Sequence, residues 1–171
     1  MSLLNRIFSK RPDDRTHVRP LWHRIVAIAR EPQWYAELGI ADTVPGRFDA
    51  ITLVLSLVLL RMEREDLLIE PSVRLTELFV DDMDGQLRES GVGDVVVGKH
   101  IGRLMSVLGG RLGALRDELP QGEAAVVEVL KRNVTLIEGT DPAPLARAAI
   151  SFAEKLAGLP ADAILAAGIE R

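Results

Sequence analysis

The sequence contains no cysteine. That excludes a disulfide framework, an iron–sulfur cluster, a thiolate zinc site and a cysteine nucleophile. Its three histidines, His17, His23 and His100, lie far apart and form no HxxxH or HxxE pattern. A histidine-rich metal site is therefore not expected. Aromatic residues make up only 4 % of the chain, while Leu, Ala and Val are abundant. This balance disfavours a sandwich or barrel and favours helices packed on helices. Long apolar runs are also missing. The most apolar stretch, Ile51 to Leu60, is roughly half of what a membrane span needs. Met1 to Arg11 sets Leu3, Leu4, Ile7 and Phe8 beside Arg6, Lys10 and Arg11. It lacks the longer apolar region and small-residue cleavage site of a secretory signal. The expected location is the cytoplasm, including peripheral attachment at the inner face of the cytoplasmic membrane.

What is present suits a helical domain. The chain has 171 residues, 47 % of them hydrophobic, enough for one core without staples. The net charge of −4 is unevenly spread. Residues 1–30 carry seven basic and two acidic groups, whereas residues 61–90 carry four basic and nine acidic groups. Residues 1–17 read as a loose basic arm and 18–171 as a single helical domain. The fold class is all-α: a single-domain bundle of about six to eight helices around a central apolar helix at about 47–65. That helix is apolar on every side in its middle, which marks it as surrounded by others.

Around it the pattern predicts helices over 19–30 and 33–38, with an ordered Gly- and Pro-containing loop at 39–46. Ile69, Glu70 and Pro71 predict a break before a helix over 72–89, whose apolar face is Leu75, Leu78, Phe79, Met83 and Leu87. Gly91-Val92-Gly93 predicts its end, and Asp94 an N-cap for a helix through Glu118. Further amphipathic helices are predicted through Val126, Val127, Leu130, Val134 and Ile137, through Leu145 to Leu156, and over 161–167. Gly109 and Gly110 interrupt a strongly patterned helix at about 1 kcal/mol each relative to alanine. That cost predicts a close backbone approach or a kink.

Catalytic apparatus is not evident. Asp81, Asp82 and Asp84 could bind magnesium or act in acid–base chemistry, but no phosphate loop accompanies them. On a helix Asp82 points about 100° away from its neighbours. A solvated face, or pairing with Arg88, fits better. Ser56, Ser72 and Ser106 have no supporting base. No enzyme and no cofactor is expected.

Four strings carry a resemblance. They are Trp34-Tyr35 with Gly39; Gly46-Arg47-Phe48-Asp49; Phe79-Val80-Asp81-Asp82-Met83-Asp84, running on through Leu87-Arg88-Glu89 and Gly91-Val92-Gly93-Asp94 to Gly98-Lys99; and Gly110-Arg111. In this order, over roughly residues 20–118, the chain resembles the ubiquinol–cytochrome c chaperone family. The third string is the specific one. One departure is that Leu108, Gly109 and Leu112 stand beside the Gly-Arg pair, where the family often has aromatics.

The resemblance implies a non-enzymatic assembly chaperone for respiratory complex III that binds newly made cytochrome b or another complex III subunit. It also implies a small partner protein, and contact of the basic arm with a ribosome or membrane surface. Each Lys or Arg near an anionic surface contributes about 1 kcal/mol. The partner-binding candidates are Trp34, Tyr35, Arg47, Asp49, Asp82, Asp84, Arg88, Asp94, Lys99 and Arg111. Charge complementarity predicts that Arg47 or Arg111 pairs with Asp82 or Asp84. Competing readings are a helical interaction scaffold or regulator unrelated to complex III, and an enzyme using the aspartate cluster.

Overall fold

The computed structural model describes residues 15–89 and 94–171, together with the backbone but not every side chain near 94. Among the described residues the architecture is all helical. A single turn at Thr16–Val18 leads into α1 (Arg19–Ala29) and the short α2 (Gln33–Ala36). The longer elements α3 (Val44–Met62), α4 (Asp66–Glu89) and α5 (Asp94–Glu118) follow. The chain closes with α6 (Glu123–Asn133), α7 (Ala143–Ala157) and α8 (Ala161–Leu165).

The expected central helix is α3. It packs against α1, α4, α5 and α7, and from Thr52 to Leu60 every residue is buried. Its two buried hydroxyls donate within the helix: Thr52 to the Phe48 carbonyl at 3.1 Å and Ser56 to the Thr52 carbonyl at 2.7 Å. No polar group is thereby stranded in the apolar middle. The helix starts three residues before its expected position because Thr43 caps it, its Oγ1 accepting from the Gly46 amide at 3.2 Å. At the far end Arg61 donates to the carbonyls of Leu156 and Leu159 at 3.1 and 2.7 Å, tying α3 to the end of α7.

Three expectations are corrected. Ile69 to Pro71 do not break the chain: α4 runs from Asp66 with Pro71 inside it. Only one intrahelical bond is lost so near the start, and the carbonyl left without a donor belongs to Leu67, an exposed residue. The helix predicted through Ile137 ends at Asn133, and Val134 is extended. Val134, Thr135 and Ile137 are β-branched and suit extended backbone. Here Leu136 bridges Ile40, with the Ala41 amide donating to Thr135 and the Ile137 amide to Gly39, both at 2.9 Å. Neither Gly109 nor Gly110 lies at a close approach among the described residues, where an added Cβ at either would meet nothing within 4 Å. Leu87 and Gly91-Val92-Gly93 fall outside the described residues and side chains.

Candidate functional site

The first two family-like strings build one wall of a groove. Trp34 is fully buried, and its Nε1 donates to the Ile28 carbonyl at 2.8 Å. The Tyr35 hydroxyl donates to the Ala29 carbonyl at 2.7 Å. The Tyr35 bond satisfies the Ala29 carbonyl at the end of α1, and Trp34 gives the Ile28 carbonyl a second donor beside the Glu31 amide at 3.1 Å. Burial pushes the Tyr35 phenol above its ordinary pKa. Arg171 lies 4.6 Å over the Trp34 ring and bonds Glu31 at 3.1 Å.

Two glycines in these strings have steric reasons. Gly39 has a φ of +80°, and a Cβ there would sit 2.1 Å from Thr140 Cγ2. A Cβ at Gly46 would sit 1.9 Å from the Ala41 carbonyl oxygen. Without a side chain, Gly39 lets the loop meet Thr140, and Gly46 lets the start of α3 fold back on Ala41.

Arg47 and Asp49 point to opposite tasks. Arg47 is exposed and pairs with Asp42 at 2.6 Å. That hydrogen bond holds the Asp42 carboxyl below its usual range and raises the Arg47 guanidinium. Asp49 is buried and anchors a network. Its Oδ2 accepts from the amide and the hydroxyl of Thr135 at 2.8 and 2.7 Å, and its Oδ1 accepts from Arg111 Nη2 at 2.9 Å. Arg111, only 2 % exposed, also donates to the Asp49 carbonyl, the Thr52 hydroxyl and the Asn133 carbonyl. Its Nε is buried with no partner among the described residues. One guanidinium thus joins α3, α5 and the end of α6. Such a fork suits several acceptors at fixed angles, which an ammonium does not.

The expected pairing of Arg47 or Arg111 with Asp82 or Asp84 is overturned. Arg111 reaches inward to Asp49, Arg47 takes its near neighbour Asp42, and Asp84 pairs with Arg88 one turn on at 2.8 Å. Asp81 pairs with Arg15. Asp82 and Lys99 are exposed, and the Asp94 side chain lies outside what is described. No group of three or more His, Asp or Glu side chains among the described residues is placed to hold a metal ion. No described helix is long and apolar enough to cross a membrane.

Three of the four strings contribute to one open groove of about 1080 Å³, and Gly110-Arg111 does not line it. Tyr35, Arg47, Phe48 and Ile51 form one side, and Met83, Gln86, His100 and Leu104 the other, with Arg30 and Val44 at its rim. Phe48 links the floor to the core through Phe79, with ring centroids 6.4 Å apart, and Phe79 meets Trp22 edge-on at 6.0 Å. Sequence reasoning singled out Tyr35 and Arg47 but missed Ile51, Met83, His100 and Leu104 as parts of a site. Their helical spacing gave only a core signal, and nothing local marks which face remains uncovered.

The class that the fold and site define is a helical bundle with motif residues bordering an open groove. Residues 36–171 match the ubiquinol-cytochrome C chaperone family, and the chain belongs to that family. The crystal structure of the Cbp3 homologue from Brucella abortus is similar: 28 % identity, a TM-score of 0.80, and coverage of 99 % of this chain and 96 % of that one. No curated protein matches the sequence. The chain is a complex III assembly chaperone of the bacterial type, and its family implies a non-enzymatic role.

Proposed function

We propose that this chaperone binds newly made cytochrome b, and that an apolar segment of that client lies in the groove between Phe48 and Leu104. The observation that supports this most is the groove's composition. Its floor is apolar, and its lining draws on three family-like strings, through Tyr35, through Arg47 and Phe48, and through Met83, the last about thirty residues further along the sequence. A segment of an integral membrane protein carries apolar surface that must be shielded before insertion. Val44 stands at the rim with 84 % of its surface exposed, an apolar residue that a partner would cover. The cations Arg30 and Arg47 border the same opening and would influence encounter and orientation more than affinity.

A small partner protein, and contact of residues 1–17 with a ribosome or membrane surface, belong to the same proposal. The net positive charge of that stretch supports the contact. The test is a photo-crosslinker placed at Ile51 and, separately, at the exposed Glu154 on α7. Cytochrome b captured at Ile51 and not at Glu154 is the expected result. Normal cytochrome b and complex III content after deletion of the gene, with no second copy present, would end this reading.

A further inference from the structure

The two walls of the groove differ in how firmly they are held. Phe48 and Ile51 sit on α3, which is buried throughout from Thr52 to Leu60, whereas on the facing side only Met83 of α4 is buried and the α5 part, His100 and Leu104, belongs to a stretch with no buried residue. Among residues 98–107 of α5 none is buried. Burial begins at Leu108 and continues with Arg111 and Leu115, and Arg116 adds a forked pair with Glu63 at 2.8–3.1 Å. Over its described side chains α5 therefore has an anchored C-terminal half and a lightly packed stretch at 98–107. The border between them falls at Leu108, beside Gly109-Gly110 and just before the buried Arg111.

The helix is also rich in glycine. α5 carries Gly98, Gly102, Gly109, Gly110 and Gly113. Among the described residues a Cβ added at any of them would meet nothing within 4 Å. Packing thus gives no reason for glycine at these five positions, in contrast to Gly39 and Gly46. Each one weakens the helix by raising its conformational freedom. Segments with few buried contacts open locally without global unfolding.

We infer that residues 98–107 are a movable wall, hinged at Gly109-Gly110 and anchored by Arg111, whose opening admits an apolar polypeptide segment to the groove. The identity of that segment rests on the proposed function above; the hinge does not. His100 and Leu104 travel with the moving part, while Tyr35, Phe48 and Ile51 stay fixed on α2 and α3. A second apolar cavity of about 490 Å³ lies on the other side of the same helix, lined by Val73, Val80, Ile101 and Met105. Outward movement of the wall thus alters both faces of the hairpin formed by α4 and α5.

Amide hydrogen exchange on the full chain tests this directly. In the natural sequence, amides of 98–108 should exchange through local opening, far faster than those of 53–60 in α3. The triple substitution Gly102→Ala, Gly109→Ala and Gly110→Ala should raise their protection roughly 100-fold, at about fivefold per residue. Protection in α3 should not fall. The same variant should capture several-fold less cytochrome b at the Ile51 crosslinker, although it is the more stable protein. Gly113→Ala, within the anchored half, is the control and should leave capture unchanged. Exchange at 98–108 as slow as in α3 would overturn the hinge. So would undiminished capture by the triple variant. Failure of the natural chain to capture cytochrome b would strike the proposed client, while the exchange data would still decide the hinge.

Discussion

Replacing Arg111 with alanine removes four hydrogen bonds at once: to the Asp49 carboxylate, the Asp49 carbonyl, the Thr52 hydroxyl and the Asn133 carbonyl. Charge-assisted bonds of this kind contribute about 1.5–3 kcal/mol each when counted singly, but they share one guanidinium and do not add. A better guide is the loss on breaking a buried pair from one side, about 3–5 kcal/mol. Asp49 keeps both bonds from Thr135 and is itself 13 % exposed. Those two facts place the expected loss in the lower part of that range, about 3–4 kcal/mol. Against a total of about 5–15 kcal/mol for a domain, this is a large fraction. Arg111→Lys restores the charge but not the fork, and should recover less than half of the loss. Asp49→Ala combined with Arg111→Ala should destabilise by less than the sum of the single changes, with a coupling of about 1–3 kcal/mol. Urea unfolding followed by far-UV circular dichroism measures the natural protein and the four variants, the single Asp49→Ala included, provided the slope stays constant. A loss below about 1 kcal/mol for Arg111→Ala, the worth of one ordinary hydrogen bond, would refute the argument. Strict additivity in the double substitution would do the same.

Tyr35 is the only tyrosine, so near-ultraviolet phenolate absorbance reports on it alone. Burial raises its pKa, so its contribution to stability is fully present below the ordinary tyrosine range of about 10. That contribution is lost as pH rises through the elevated folded value; a titration midpoint below the ordinary value would contradict this. Leu55→Ala, at a fully buried position of α3, should cost about 2–5 kcal/mol, and chemical denaturation giving below about 0.5 kcal/mol would contradict the buried layout of α3. Asp84→Lys with Lys99→Glu should leave helical content and melting temperature nearly unchanged, since exposed pairs such as Asp84–Arg88 contribute about 0–1 kcal/mol. In a complementation assay the same variant should lower cytochrome b accumulation, and normal complex III levels would remove this surface from the partner-binding set.

Much of the frame could be read from residue patterns. α3 was legible because apolar residues surround it on every side, and α5 because its apolar positions repeat at three- and four-residue spacing. Trp34 and Tyr35 were found as motif residues, but their task of capping α1 was not, since a side-chain bond to a carbonyl six residues back leaves no periodic trace. The partner of Arg111 was misjudged for a related reason. Charge complementarity says that an arginine wants a carboxylate, not which one. The aspartates at 82 and 84 form the denser acidic string, yet Asp49 lies one turn inside α3, where α5 crosses it. Pro71 was read as a break because a proline's local cost is visible in sequence, whereas the exposed position of the carbonyl it leaves behind is not. The extended segment at 134–137 depended on a partner, Ile40, almost a hundred residues away.

That last pairing has a consequence for the order in which the protein becomes competent. A chain leaves the ribosome from its N-terminus, so Gly39, Ala41 and Asp49 emerge long before Thr135, Leu136 and Ile137. Until the final third is made, Ala41 and Asp49 lack the Thr135 groups they bond to in the finished domain, and Arg111 lacks the Asn133 carbonyl. Closing so long a loop is also slow compared with forming the helices it joins. The fixed side of the groove is therefore not complete until Thr135 has been made, and a nascent chaperone cannot finish it before most of its own chain has been synthesised.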